Sequence, residues 1–497
     1  MREVPPEILK KLNLRAAAAD EAAYWRNLLP PEPWASAVSA NPEVVAKWVH
    51  ARLEAGRRNA PGLAVDARKP HQSFRPVPVV GIAERVAFRA LTDWVLADIE
   101  LSERSAEDYR RFVAGPVGAA FPERRVGMKL SEARVEYVVQ ADIASFYQYI
   151  DHGVLLTELE NRTGKVQAAR LLIELLGELQ GSAFGLPQLL YPSDKLSEFY
   201  IQILERDMVR RLGVAWRYND DFRFVANGYG NAQQALEELS AAARPLGLVL
   251  NDNKSIIRKF ETYFGHYVRD ATGEADIEIN PSHIDVEIED YPHLDSEGVL
   301  EAARSTFKLL APGEAQIDLT KPSPRQVRDL RRAFNIAARE KSPIGLPFVE
   351  QVFRYLPQLT PRLADYLVAM HEANHDPGRV WDSLSVRAPT FNTWQRAWLT
   401  YVARRCDLLD SDRIPWLRVQ FVSAPPGLLH AEAALALAAA GQMDFQTLDT
   451  ALRTQPEALA SWYAVGMNHV AANAQQRRAV RESSRLCELL VNPEAKA

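Results

Sequence analysis

Two cysteines in 497 residues, Cys406 and Cys487, cannot frame a disulfide-stapled module. With no histidine cluster beside them they make no zinc framework either. Long apolar runs are also missing. The longest, residues 428–441, is mostly alanine and is broken by His430 and Glu432, well short of the roughly 20 residues that span a bilayer. The opening Met1-Arg2-Glu3-Val4-Pro5-Pro6 lacks the apolar stretch of a secretion leader. A cytoplasmic protein without membrane association is therefore expected. Neither sign of charge dominates, with 59 basic residues against 64 acidic ones. What is present is ordinary for a folded protein: 47% hydrophobic and 25% charged residues exclude a disordered chain. The length allows about two to four domains and a large core.

The near-neutral balance hides an asymmetry. Residues 270–300 carry ten acidic side chains and no Lys or Arg, so outside them 59 basic residues face 54 acidic ones. The belt reads either as a solvated connector or as a negative surface that directs the path of nucleic acid.

Organisation follows from pattern. Residues 1–60 read as a helical N-terminal extension, with Trp25, Trp34 and Trp48 as packing anchors. Residues 61–80 are extended. Helical spacing of Val86, Leu91, Val95 and Ile99 predicts a helix over 83–100. Between 130 and 270 strands and helices mix: a buried strand through Tyr137, Val138 and Val139, helices over 154–179, 193–212 and 233–243, and a hairpin around Asn219-Asp220. After the connector (271–300), residues 301–497 form successive amphipathic segments without a repeated motif, which suggests an all-α domain of stacked helical pairs.

Two acidic sites lie where strands stop. Asp142 ends the strand in Ala141-Asp142-Ile143-Ala144-Ser145-Phe146-Tyr147, and Asp220 and Asp221 occupy the hairpin Tyr218-Asn219-Asp220-Asp221. Three carboxylates brought together repel one another unless a cation neutralises them. Mg²⁺ suits them, because it takes carboxylate and phosphate oxygens, and two such ions serve phosphoryl transfer. Either motif alone also fits a polar turn or a strand terminator.

Taken in order, the motifs resemble those of a reverse transcriptase over residues 70–270. Ala141 to Tyr147, followed by Ile150-Asp151-His152, resembles the first palm motif of bacterial and group II intron-type enzymes. Gly185-Leu186-Pro187-Gln188 with Ser193 resembles the second, and Tyr218-Asn219-Asp220-Asp221 the Tyr-x-Asp-Asp box. Leu246-Gly247-Leu248 with Asn251 and Lys254 is similar to the next motif, and residues 260–266 to the primer-grip hairpin. Arg75-Pro76 and Glu84-Arg85 resemble the fingers motifs. The family usually has glycine where Leu189 stands, and Asp where Glu84 stands.

The resemblance implies an α+β right-hand polymerase core of fingers and palm (61–270) followed by the all-α domain. It implies RNA-directed or untemplated DNA synthesis from dNTPs. Asp142, Asp220 and Asp221 would be catalytic; Asp142, Asp220 and the Ile143 carbonyl would hold two Mg²⁺ ions, with Mn²⁺ as a substitute. Arg75, Tyr147, Gln188 and Lys254 would contact the nucleotide, Tyr147 as a gate against a ribose 2′-hydroxyl. The helical C-terminal region in place of intron domains is similar to the layout of abortive-infection and defence-associated reverse transcriptases. That likeness implies antiphage defence, a homo-oligomer, and RNA or single-stranded DNA as partner, including a cognate non-coding RNA. Tyr355, Tyr366, Tyr401 and Tyr463 would be the candidate protein primers. Leu189 supports an alternative, a catalytically silent reverse-transcriptase-like scaffold that binds RNA or protein. Synthesis of cDNA for a mobile element is a third reading.

Overall fold

Residues 3–24, 28–56, 60–69, 73–122, 130–271, 296–311, 318–483 and 485–491 are described by the structure, a computed structural model. Trp25 and most of the acidic belt lie outside the described residues. The chain is mixed α/β, and among the described residues the regular secondary structure from residue 296 onward is all helical. It divides into two compact units that do not follow one another in sequence: residues 1–90 with 289–497, and residues 91–288. The extended segment expected at the head of the catalytic core thus groups with the two ends of the chain.

In the first of these units, helices Pro6–Leu9, Leu14–Ala23, Ala35–Ala40 and Pro42–Glu54 precede an antiparallel hairpin of β1 (Leu63–Arg68) and β2 (Phe74–Val79). Pro76 and Pro78 sit in β2 without breaking a ladder, because in a two-stranded sheet each strand has one unpaired edge. The hairpin and the N-terminal segment are tied to the C-terminal helices. Asn392 Nδ2 donates to the Asp66 carbonyl at 3.0 Å, and Trp394 Nε1 donates to the Leu28 carbonyl at 2.6 Å. Trp34 is buried, as expected of an anchor, and so are Trp381, Trp394, Trp398 and Trp462. The alanine-rich stretch becomes the helix Leu428–Ala439, buried on nearly every side. Its one buried acid, Glu432, accepts from Trp462 Nε1 at 2.8 Å. Among the described residues no helix is long and apolar enough to cross a membrane.

Asp365, in the helix Thr360–Glu372, gives this unit a pH dependence. Burial pushes its carboxyl up to about 6, and Arg362 offsets only part of the rise. The folded protein therefore holds a proton there that the unfolded chain, titrating near 4, has already lost. Stability falls as pH rises from about 4 through about 6 and stays lower above that. Asp365→Asn is expected to raise the thermal midpoint at pH 8, by the equivalent of about 1–2 kcal/mol, and to have little effect near pH 4. Melts of both proteins at the two pH values check this; equal midpoints at pH 8 would count against it.

In the second unit, four antiparallel strands form a sheet of order β4-β5-β3-β6: β3 is Tyr137–Asp142, β4 Trp216–Tyr218, β5 Asp221–Ala226 and β6 Ile256–Lys259. Alternation along β5 buries Phe222 and Phe224 on one face and sends Asp221 and Arg223 to the other. The expected helix over 154–179 is two helices, His152–Thr163 and Val166–Gln180, separated by Gly164 at φ 65°. Residues 260–266 are not the expected hairpin; they open the helix Phe260–Ala271. Phe260, Tyr263, Phe264 and Tyr267 recur at helical spacing, and Phe121 meets the rings of Phe260 and Phe264 at 5.7 and 5.6 Å.

Candidate active site

The β3–β5 register places Asp142 directly opposite Asp221. β4 and β5 are joined by a two-residue turn, Asn219-Asp220, with Tyr218 paired to Asp221. Such turns need a residue at positive φ, and Asn219 supplies it at 55°. The Ile143 N–H donates to the Asp220 carbonyl at 3.3 Å, closing the turn against the end of β3. Asp142 and Asp220 are each only 3% exposed. Three carboxylates therefore meet at one end of the sheet because a strand end and a hairpin turn are in register.

The electrostatics of this end are strained. Burial, then the charge of Asp220, raises Asp142 above the usual carboxylate range, against the pull of Lys254 and Asn251. Burial raises Asp221 as well, followed by Asp220 and Asp142, with Arg223 and Lys254 opposing. The partners are local. Asn251 Nδ2 donates to Asp142 Oδ2 at 2.9 Å, and Lys254 Nζ lies 3.3 Å from Asp142 Oδ1. Arg223 donates to the Tyr263 hydroxyl and packs over the Phe112 ring at 4.2 Å.

Among the described residues, no three His, Cys, Asp or Glu side chains could hold a metal ion on their own. Mg²⁺ does not ask for that: it is commonly held by one or two carboxylates, with water and substrate phosphates completing its shell. Asp142 and Asp220 supply that number, and the ammonium of Lys254 already stands where a cation would neutralise Asp142.

Tyr147 lies in the single turn Phe146–Tyr149. Its hydroxyl donates to Asp194 Oδ1 at 2.7 Å and accepts from Arg104 Nη1 at 2.8 Å. The loop that resembles the second motif is pinned beside this turn. The Leu186 N–H donates to the Tyr147 carbonyl at 2.7 Å, and the Gly185 N–H to the Ile150 carbonyl at 2.8 Å. His152 Nε2 lies 2.7 Å from the Gly185 carbonyl, and burial lowers its affinity for a proton. Gln188 is half-buried in the turn that follows.

Leu189, in that turn, has φ 59°. The position where the resembled family has glycine still adopts the backbone that favours glycine. A leucine there carries a steric penalty of about 1–2 kcal/mol, and a β-branched side chain fits worse. Leu189→Gly is expected to hold or raise stability by up to about 1 kcal/mol. Leu189→Ile is expected to lower it by about 1–2 kcal/mol. Urea unfolding of the two variants decides; the opposite order would sink the argument.

Other expected residues fall elsewhere. Arg75 is on β2, paired with Ala67, in the unit formed by the chain ends. Glu84 and Arg85 are buried there in ion pairs, Glu84 with Arg52 at 2.8 Å and Arg85 with Glu32 at 2.9 Å. Tyr366, Tyr401 and Tyr463 are buried helix-packing residues, whereas Tyr355 is 41% exposed. Arg104, Asp194, Glu198, Arg217 and Arg223 were not anticipated. The one available signal was Arg217, adjacent to the Tyr218 box.

No family model matches the chain, and no curated protein sequence matches it. Among solved structures, telomerase from Candida albicans in complex with a TWJ fragment of telomeric RNA is similar at a TM-score of 0.33 and 11% identity. The match covers 74% of this chain and 65% of the telomerase chain, so this protein spans less than two thirds of that one.

Proposed function

We propose that this protein is a nucleotidyltransferase of the reverse-transcriptase type, a DNA polymerase that adds dNTPs to a growing strand. The observation that carries the reading is the register of Asp142 opposite Asp221, with Asp220 in the intervening turn, all at one end of an antiparallel sheet. A purely structural sheet end has no use for three crowded carboxylates, since their repulsion lowers stability. Nucleotidyl transfer asks for such a cluster, because it depends on positioning and charge neutralisation more than on covalent participation by protein groups.

Asp142, Asp220 and the Ile143 carbonyl would hold two divalent cations, Mg²⁺ or Mn²⁺, with Asp221 in support; bound there, these ions neutralise charge on the attacking and leaving oxygens. The chain's own groups do the rest. Asn251 and the backbone closure at Ile143 fix the carboxylates. Lys254, 41% exposed, is a cation that can follow the departing pyrophosphate or donate its proton to it. Tyr147 is the group that discriminates the sugar. Arg75 and Gln188 are assigned to the triphosphate and the base or template on the strength of the motifs alone. Antiphage defence, a homo-oligomeric state and a cognate non-coding RNA are proposed on the resemblance of the layout to that of defence-associated reverse transcriptases.

The test is incorporation of labelled dNTPs by purified protein with Mg²⁺ and no added template, resolved on a denaturing gel. Product that survives RNase pre-treatment and shifts with protease supports untemplated, protein-primed synthesis, with Tyr355 as the exposed candidate. Product lost on RNase pre-treatment supports a co-purified RNA. Incorporation absent with both supplied RNA and supplied primer overturns the polymerase reading in favour of a binding scaffold.

A further inference from the structure

Behind the Tyr147 hydroxyl lies a set of ionic groups that the sequence motifs do not include. Arg104 Nη1 donates to the hydroxyl, and its Nη2 donates to Ser197 Oγ at 2.8 Å and to the Asp194 carbonyl at 3.1 Å. Nε of the same arginine lies 3.4 Å from Glu198 Oε2. Glu198, 1% exposed, also forms a two-pronged pair with Arg217, whose Nη1 donates to the Asn219 carbonyl at 3.0 Å. Arg217 Nε is held in turn by Glu205 at 2.9 Å. One buried carboxylate thus joins the arginine on Tyr147 to the arginine on the Asn219-Asp220 turn.

The backbone of Arg104 shows that this placement is enforced. Its φ of 53° lies in the left-handed region, disfavoured for a long side chain. Tyr218, the first residue of the hairpin box, donates its hydroxyl to the Arg104 carbonyl at 2.9 Å, and the following Ser105 caps the helix Ala106–Ala120. Strain of this kind persists only where surrounding contacts over-determine it. Here those contacts come from Tyr147, from Asp194, Ser197 and Glu198 on the helix Tyr191–Leu212, and from Tyr218 at the start of the hairpin box.

The geometry points to Arg104 as a positioning residue for sugar discrimination: it locks the Tyr147 ring by its hydroxyl and ties that ring, through Glu198 and Arg217, to the turn bearing Asp220. This rests on the polymerase reading and deepens it. A gate working by bulk alone would be as good with Phe as with Tyr. A gate anchored through its hydroxyl is not, because without the anchor the ring can swing aside for a ribose.

The experiment measures the ratio of kcat/KM for a dNTP to that for the matching rNTP, with Asp220→Ala as the inactive control. Tyr147→Ala should collapse the ratio. Arg104→Gln and Tyr147→Phe should lower it about tenfold, the scale of a lost charge-assisted hydrogen bond, chiefly by improving use of the rNTP. Asp194→Ala alters a more exposed anchor, 38% exposed, and keeps the test open should Arg104→Gln fail to fold. A ratio unchanged in Tyr147→Phe and Asp194→Ala, with Tyr147→Ala collapsed, overturns the positioning role and leaves the gate standing. A ratio unchanged in Tyr147→Ala overturns the gate and the positioning role together. Wild-type protein that incorporates neither nucleotide overturns the polymerase reading and this inference with it.

Discussion

Asp220→Ala is expected to reduce Mg²⁺-dependent dNTP incorporation about a thousandfold or more, while Glu237→Gln, on an exposed helix position, leaves it unchanged. The estimate follows from what the cluster supplies. Charge stabilisation by a held cation is worth several kcal/mol, and each 1.36 kcal/mol is tenfold in rate. Removing the Asp220 charge should act oppositely on stability. Asp142 and Asp221 both feel the Asp220 charge as an unfavourable neighbour. Removing that charge in Asp220→Asn should raise the thermal midpoint in the absence of divalent metal while incorporation is lost. Activity sites often trade stability in this way. A variant that loses activity and melts lower would instead mark Asp220 as a structural residue.

Arg85→Ala is expected to destabilise the unit formed by the chain ends by about 3–5 kcal/mol, the scale for removing one partner of a buried ion pair. Arg85 is 2% exposed; Nε donates to Glu21 at 2.7 Å and Nη1 to Glu32 at 2.9 Å. The guanidinium also lies 5.0 Å from the centre of the Trp34 ring. Without the arginine, Glu21 would be left 1% exposed with the Arg89 cation beside it at 3.0 Å. Urea unfolding of Arg85→Ala measures the loss. If Arg85 served the nucleotide instead of the fold, the variant would keep its stability and show a raised KM for dNTP. The two outcomes are separable in one preparation.

What could be read from the sequence was local. The strand ending at Asp142 and the hairpin at Asn219-Asp220 announced themselves because alternation and turn chemistry act within a few residues. The amphipathic helices of the C-terminal region were legible for the same reason. The helix Phe260–Ala271 was missed because a motif likeness was weighed above the helical spacing of its own aromatics. Arg104 stayed hidden because its meaning lies in partners 43 and 93 residues away, Tyr147 and Ser197. The structural role of Arg85 was not legible because Glu21 and Glu32, which pair with its charge, precede it by 64 and 53 residues. Neither the pairing of the chain ends into one unit nor the register that sets Asp142 against Asp221 has any short-range signature.

The union of the chain ends has a temporal meaning. Leu28 leaves the ribosome 366 residues before Trp394, the side chain that will donate to its carbonyl. At roughly 5–20 residues per second, the N-terminal helices wait roughly 20–70 s for the surface that covers them. Residues 91–288 have all their own strands by then and can complete their sheet first. The carboxylate cluster would then exist before the protein around it is finished.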